Sequence, residues 1–154
     1  MKVKSTLRVI HEKQYKGRRG VTRGQTYKRL VGWPEVVPTD RVRIGRASYE
    51  KGTTEQLHWH PIEACYYVIS GHATVRDVNG KSYPVSAGSI IYAPAGIAGA
   101  HEWEVKESLE LIDIRATTET NRKMQFTVDR KTRRSFIELH ELAYRDAISF
   151  KSHY

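Results

Sequence analysis

His58 and His60 stand two residues apart, and Glu63 follows close behind. On a β-strand, residues i and i+2 point to the same face. Two imidazoles at this spacing can therefore converge on one metal ion, and a nearby carboxylate adds a hard oxygen ligand or a general base. Mixed imidazole and carboxylate donors suit Fe, Mn, Zn, Ni or Co. About forty residues later, beyond a turn containing Pro94 and Gly96, His101 supplies a third imidazole. An antiparallel barrel can fold that separation back to contact distance.

The elements that must position these side chains are strands. Residues 3–10 are rich in β-branched types, and residues 41–50 alternate Val42 and Ile44 with charged neighbours. Residues 64–70 form an apolar, aromatic run of strand length, and residues 72–78 alternate again before Asn79-Gly80. Asn-Gly between two alternating runs predicts a hairpin with a type I′ turn, so residues 81–85 begin the returning strand. Residues 89–93, 108–116 and 123–128 complete the strand candidates. Residues 14–34 read as an arm or loop with one short strand. Phe136, Leu139, Leu142 and Ala143 recur at helical spacing, which predicts one amphipathic helix over residues 135–147. Eight or more short strands with no βαβ alternation and no repeat predict an all-β sandwich or barrel.

Composition fits a single soluble domain over residues 1–154: 39% hydrophobic and 28% charged. No window reaches the ~18 consecutive apolar residues that cross a membrane. The N-terminal stretch lacks a signal peptide's apolar core and cleavage site, so a cytoplasmic location is expected. The one cysteine, Cys65, rules out an internal disulfide and a Cys-rich zinc site, and is expected to be a buried, inert thiol.

Lysine and arginine number 26 against 17 acids, giving a net charge of +9. The excess is concentrated in residues 13–29, with a second cluster at 130–134. Such runs can bind nucleic acid, but no nucleic-acid motif accompanies them. A solvated arm is the favoured reading, and a field that attracts a small anionic substrate is another.

The two histidine stretches resemble the two motifs of the cupin superfamily. Gly52, His58, His60 and Gly71 fall in register with the first motif, and Gly88, Pro94 and Gly96 with the second. The resemblance implies an all-β, double-stranded β-helix (jelly-roll) barrel with a metal in its mouth. The barrel core is expected at about 36–128, the basic N-terminal arm at 1–35 and the extension with its short helix at 129–154. It also implies a homodimer, commonly with the N-terminal strand or arm crossing to the partner.

This sequence departs from the motifs at two places. The family's metal-binding Glu corresponds to residue 64, which is alanine, and Glu63 stands one place early. A bulge after Pro61 would turn Glu63 inward; otherwise the ligands are three histidines, as in some thiol and diketone dioxygenases of the superfamily. The second-motif His corresponds to residue 99, which is glycine, and His101 lies two places on, preserving strand parity.

The expected metal ligands are His58, His60, His101 and Glu63, and the expected catalytic proton-transfer groups are Glu63 and Tyr66. Tyr66 shares strand parity with Ala64 and Val68 and faces the interior, either as a core aromatic or with its hydroxyl near the metal. Tyr92 is expected to pack the barrel, and Trp59 and Trp103 to line or flank its mouth. Glu102 and Glu104 read as exposed charge in preference to partners of the ligand imidazoles. His11 and His72 read as structural. The function expected is a metal-dependent enzyme acting on a small, anionic organic molecule, leaning to a dioxygenase-type oxidoreductase. The alternatives are a lyase or isomerase, or a non-catalytic small-ligand-binding module.

Overall fold

A computed structural model describes residues 3–116 and 125–138. Its strands are β1 (Arg18–Arg19), β2 (Gln25–Val31), β3 (Val42–Tyr49), β4 (Thr54–Trp59), β5 (Ala64–Ser70), β6 (His72–Asp77), β7 (Ser82–Ser86), β8 (Ile90–Ala93), β9 (His101–Val105), β10 (Leu109–Ala116), β11 (Phe126–Val128) and β12 (Ser135–Phe136). They form two six-stranded antiparallel sheets, ordered β1-β2-β3-β10-β5-β8 and β12-β11-β4-β9-β6-β7. From β3 to β6 and again from β7 to β11 the chain crosses to the other sheet at each strand, as in a jelly roll.

Alternation of side chains explains the core. Ala47 and Tyr49 of β3, Tyr66 and Val68 of β5, and Leu109 and Leu111 of β10 point inward from one sheet. Ala73 and Val75 of β6 and Trp103 and Val105 of β9 meet them from the other. Leu109 and Val68 are wholly buried. Strand polarity and burial thus agree at each inward position.

Four expectations are corrected. Residues 3–10 form no strand: Val3, Leu7 and Val9 are 87%, 83% and 88% exposed. Strand propensity describes fit to a sheet surface, and these residues lie on none. Ser135–Phe136 form a strand on β11 where a helix was expected to begin, and residues 139–147 of that expected helix lie outside the described residues. The Asn79-Gly80 turn is not type I′, because only Gly80 has a positive φ, at 85°. The Asp77 carboxylate instead accepts the amides of Asn79 and Lys81 at 2.9 and 3.0 Å, holding Asn79 in an ordinary conformation. Finally, β2 is a full seven-residue strand paired with β3, so the basic arm contributes to the barrel wall. Among the described residues, no helix is long and apolar enough to cross a membrane.

Candidate metal centre

His58 lies near the end of β4, His60 just past it and His101 at the start of β9. β4 and β9 are antiparallel neighbours in which His58 and His101 are direct cross-strand partners. That register answers the two-residue displacement of His101: parity is kept, and the side chain enters the barrel. All three imidazoles are buried, and one ligand atom from each lies within 4.8 Å of the others.

The rings are held by the backbone. His58 Nδ1 donates to the Gln56 carbonyl at 2.7 Å, and His101 Nδ1 donates to the Gly99 carbonyl at 2.8 Å. In each ring this leaves Nε2 as the lone-pair nitrogen, the state a metal ligand requires. Burial, followed by the neighbouring His58, pushes the His101 pKa down to about 3, so His101 stays neutral. Three buried, mutually close imidazoles, two of them oriented by backbone carbonyls, fit a divalent ion of the Fe, Mn, Zn, Ni or Co group.

Tyr66 is buried on β5, and its hydroxyl donates to His101 Nε2 at 3.2 Å. Arg115 of β10 approaches from the other side. Its Nη1 lies 3.1 Å from both ring nitrogens of His60, and its Nη2 lies 3.4 Å from the Tyr66 hydroxyl oxygen. Asp113 takes the Nε edge of the same guanidinium at 2.8 and 3.1 Å, and Tyr27 donates to Asp113 at 3.0 Å. Burial disfavours charge on Arg115, but Asp113, Tyr66 and Tyr27 more than offset it and hold the group firmly protonated. Tyr27 can reach Asp113 because Gly45 lies beneath its ring. A Cβ on Gly45 would sit 2.0 Å from the Tyr27 hydroxyl.

Next to these groups opens a cavity of about 330 Å³. Tyr66, Arg115 and Glu55 form its histidine-side wall, and Tyr27, Trp33 and Arg43 line it further out. Glu55 Oε1 is 3.9 Å from His58 Nε2, and the Glu55 side chain is largely buried.

The structure does not bring Glu63 to this group. Its exposed carboxylate accepts the Tyr92 hydroxyl at 2.7 Å. Residues 61–62 bend ahead of β5, whose inward positions are Ala64, Tyr66 and Val68, so Glu63 keeps the outward parity.

Tyr92 is likewise outside the barrel, 60% exposed, in correction of the packing role expected for it. Cys65 is half-buried where full burial was expected. Trp103 packs edge-on against Tyr66 and His101 inside the barrel. Trp59 stacks on Phe126 and donates to Ser135. Glu102 and Glu104 pair with Arg76, His72 pairs with Glu107, and His11 caps a short 3-10 turn at Glu12–Gln14.

Sequence reasoning missed Arg115, Asp113, Glu55, Tyr27 and Arg43. A signal was present in residues 109–115: Asp113 and Arg115 continue the inward parity of Leu109 and Leu111. A charged pair at core-facing positions marks a site. It was obscured because Ile112 and Ile114 suggest the opposite parity.

Comparison with known proteins agrees with this geometry. A family model described as "Cupin domain" matches residues 45–115. An uncharacterized protein of Streptomyces coelicolor is 34% identical over 55 residues, which is 36% of this chain and 51% of that protein. The match thus spans about half the length of that relative. The polyketide cyclase RemF from Streptomyces resistomycificus has a similar structure, with a TM-score of 0.68 at 16% identity over 92% of this chain and 94% of that one. An RmlC-like cupin from Shewanella frigidimarina has a TM-score of 0.61 at 16% identity, covering 75% and 95% of the two chains. KdgF from Halomonas sp. has a TM-score of 0.59 at 19% identity, covering 71% and 94%. At these identities the likeness speaks for the fold alone.

Proposed function

We propose, from the match of residues 45–115 to the cupin-domain family model and from the jelly-roll fold, that this chain is a cupin and a metal-dependent enzyme acting on a small anionic organic molecule. The observation that carries the reading is the convergence of His58, His60 and His101, buried and within 4.8 Å of one another, at the edge of an arginine-lined cavity. A divalent ion held there would supply Lewis acidity or a site for O₂. The chain's own groups do the rest. Arg115, fixed by Asp113, presents its Nη edge to an anionic substrate group. Tyr66 holds a proton at its hydroxyl, beside both His101 and Arg115. Glu55 is a second candidate for proton transfer on the same wall.

A dioxygenase-type oxidoreductase is the finer proposal. The converging ligands are three imidazoles, with the Glu55 carboxylate 3.9 Å from His58 Nε2, a donor set that would leave positions at the ion for an anionic substrate or O₂. A lyase or isomerase is the second reading, favoured by Tyr66 and Glu55, which suit proton transfer without oxidation.

Elemental analysis after anaerobic reconstitution tests the proposal. About one metal ion per chain is expected, with loss of loading in His60→Ala. Loading far below stoichiometry in the wild-type protein overturns it. Oxygen consumption on addition of substrate separates the two reaction classes.

A homodimer is proposed alongside. Val3, Leu7 and Val9 form an exposed apolar segment, and β8 is an edge strand whose Ile90 and Tyr92 are also exposed. Sedimentation is expected to give twice the chain mass, falling to one chain mass when residues 1–10 are removed.

A further inference from the structure

Thr54 and Glu55 of β4 pair with Glu104 and Trp103 of β9, and His58 pairs with His101. Three steps along β4 therefore match two along β9, so β4 carries one extra residue between Glu55 and His58. This is a β-bulge. On a regular strand, residues three apart point to opposite faces. The bulge cancels that reversal. Residues directly opposite each other across a ladder share a face, and Trp103 and His101 are both buried. Glu55 thus points inward, as His58 does. Its side chain is 14% exposed, and it lines the cavity with Tyr49 and Tyr66. The bulge also holds the Gln56 carbonyl, to which His58 Nδ1 donates at 2.7 Å. One backbone irregularity both turns the carboxylate inward and orients the imidazole beside it.

The separation of these two groups suits a shared ion. Donors bound at about 2.0–2.2 Å to one ion stand about 3–3.5 Å from each other. Glu55 Oε1 lies 3.9 Å from His58 Nε2. That is beyond hydrogen-bond reach and a few tenths of an ångström from the spacing of two ligands. A carboxylate on a two-carbon stem covers the difference by torsional rotation. Its charge is felt at His101 as well, where it favours the protonated ring. Ligating imidazoles are neutral, so only a carboxylate or the substrate can offset the charge of a buried divalent ion.

We propose that Glu55 is the fourth protein ligand of the metal centre, reaching the ion from the strand segment that precedes the histidines. Residue 64, where the family places its ligand carboxylate, is alanine, and Glu63 is exposed and bonded to Tyr92. The bulge in β4 supplies a carboxylate by another route. This inference rests on the metal-dependent reading above. A six-coordinate ion with these four ligands keeps two positions for substrate, water or O₂. As a ligand Glu55 gives up the proton-transfer role open to it above, which then falls to Tyr66.

The test compares the full chain with Glu55→Gln, which keeps the shape and removes the charge, and with Glu63→Gln. Zinc affinity is measured by competition with a chromogenic chelator, and the ligand field by visible absorption of the cobalt(II) proteins. Glu55→Gln is expected to weaken zinc binding about 100-fold or more, at or above the loss caused by residues that only support a ligand. It is also expected to shift the cobalt bands in position and intensity. Glu63→Gln is expected to change neither. Undiminished zinc affinity in Glu55→Gln overturns the proposal. Weaker binding with an unchanged cobalt spectrum also overturns it, because the carboxylate then acts from outside the coordination sphere. If circular dichroism shows Glu55→Gln to be unfolded, Glu55→Asp keeps the charge on a shorter stem. A shifted cobalt spectrum is expected there, and an unchanged one overturns the proposal. Failure of the wild-type chain to take up zinc or cobalt removes the metal-dependent reading and this inference with it. Full loading of the wild type with an indifferent Glu55→Gln removes this inference alone.

Discussion

His58 and His101 face each other across the β4–β9 ladder, with ring centres 4.5 Å apart. The pairing makes the two proposed ligands one unit, fixed by hydrogen bonds between strands. His101→Ala is therefore expected to abolish stoichiometric zinc or iron loading and to leave the fold intact. His72→Ala, on the exposed side with Glu107, is expected to load as the wild type does. Elemental analysis of the two purified variants checks the contrast.

The metal-free protein is expected to lose stability in acid. His101 has a folded pKa of about 3 against an ordinary value of 6.5. Between those values the unfolded chain takes up a proton that the folded chain does not, so stability falls as pH drops through 6.5 and levels off near 3. The loss amounts to a few kcal/mol. Urea midpoints measured across this range, in the wild type and in His101→Asn, are expected to diverge at high pH and converge at low pH.

Arg115 places a fixed positive charge 3.1 Å from the nitrogens of His60. A divalent ion at the same imidazole is repelled by it in a poorly solvated site. Arg115→Met is therefore expected to bind zinc more tightly than the wild type. Competition with a chromogenic chelator measures the effect. A variant that binds zinc less tightly would show that the guanidinium is needed to hold the site together.

Gly45→Ala is expected to be destabilising by roughly 1–3 kcal/mol, the usual range for overpacking a filled interior. The added methyl would sit 2.0 Å from the Tyr27 hydroxyl. Tyr27 would have to move, releasing Asp113 and loosening Arg115. Tyr27→Phe removes the hydrogen bond and leaves the space, and is expected to cost only about 1 kcal/mol. Denaturant unfolding of both variants separates crowding from the lost bond.

The three histidines were legible because their spacing is tied to strand parity, and parity survives the fold. His101 was readable even out of register, since a displacement of two preserves its face. Glu63 failed for the same reason: a displacement of one reverses the face, and the bend at residues 61–62 does not restore it. The Asp113–Arg115 pair was hidden because Leu109 and Leu111 are apolar at one parity and Ile112 and Ile114 at the other, and only the partners β3 and β5 decide which face is buried. The strand expected at residues 3–10 and the helix expected from residue 135 were read from local preference, and tertiary pairing overrode that preference where it acted.

The three imidazoles come from residues 58–101, whereas Tyr27, Arg29, Trp33 and Arg43 all come from the preceding stretch. The residues proposed to hold an ion and most of those lining the outer cavity thus lie on separable lengths of polypeptide, with Arg115 joining the two. A chimera that exchanges residues 18–43 for those of another barrel would inherit the donor's lining on that side while keeping the three histidines. Selection could then retune one length of chain without disturbing the other.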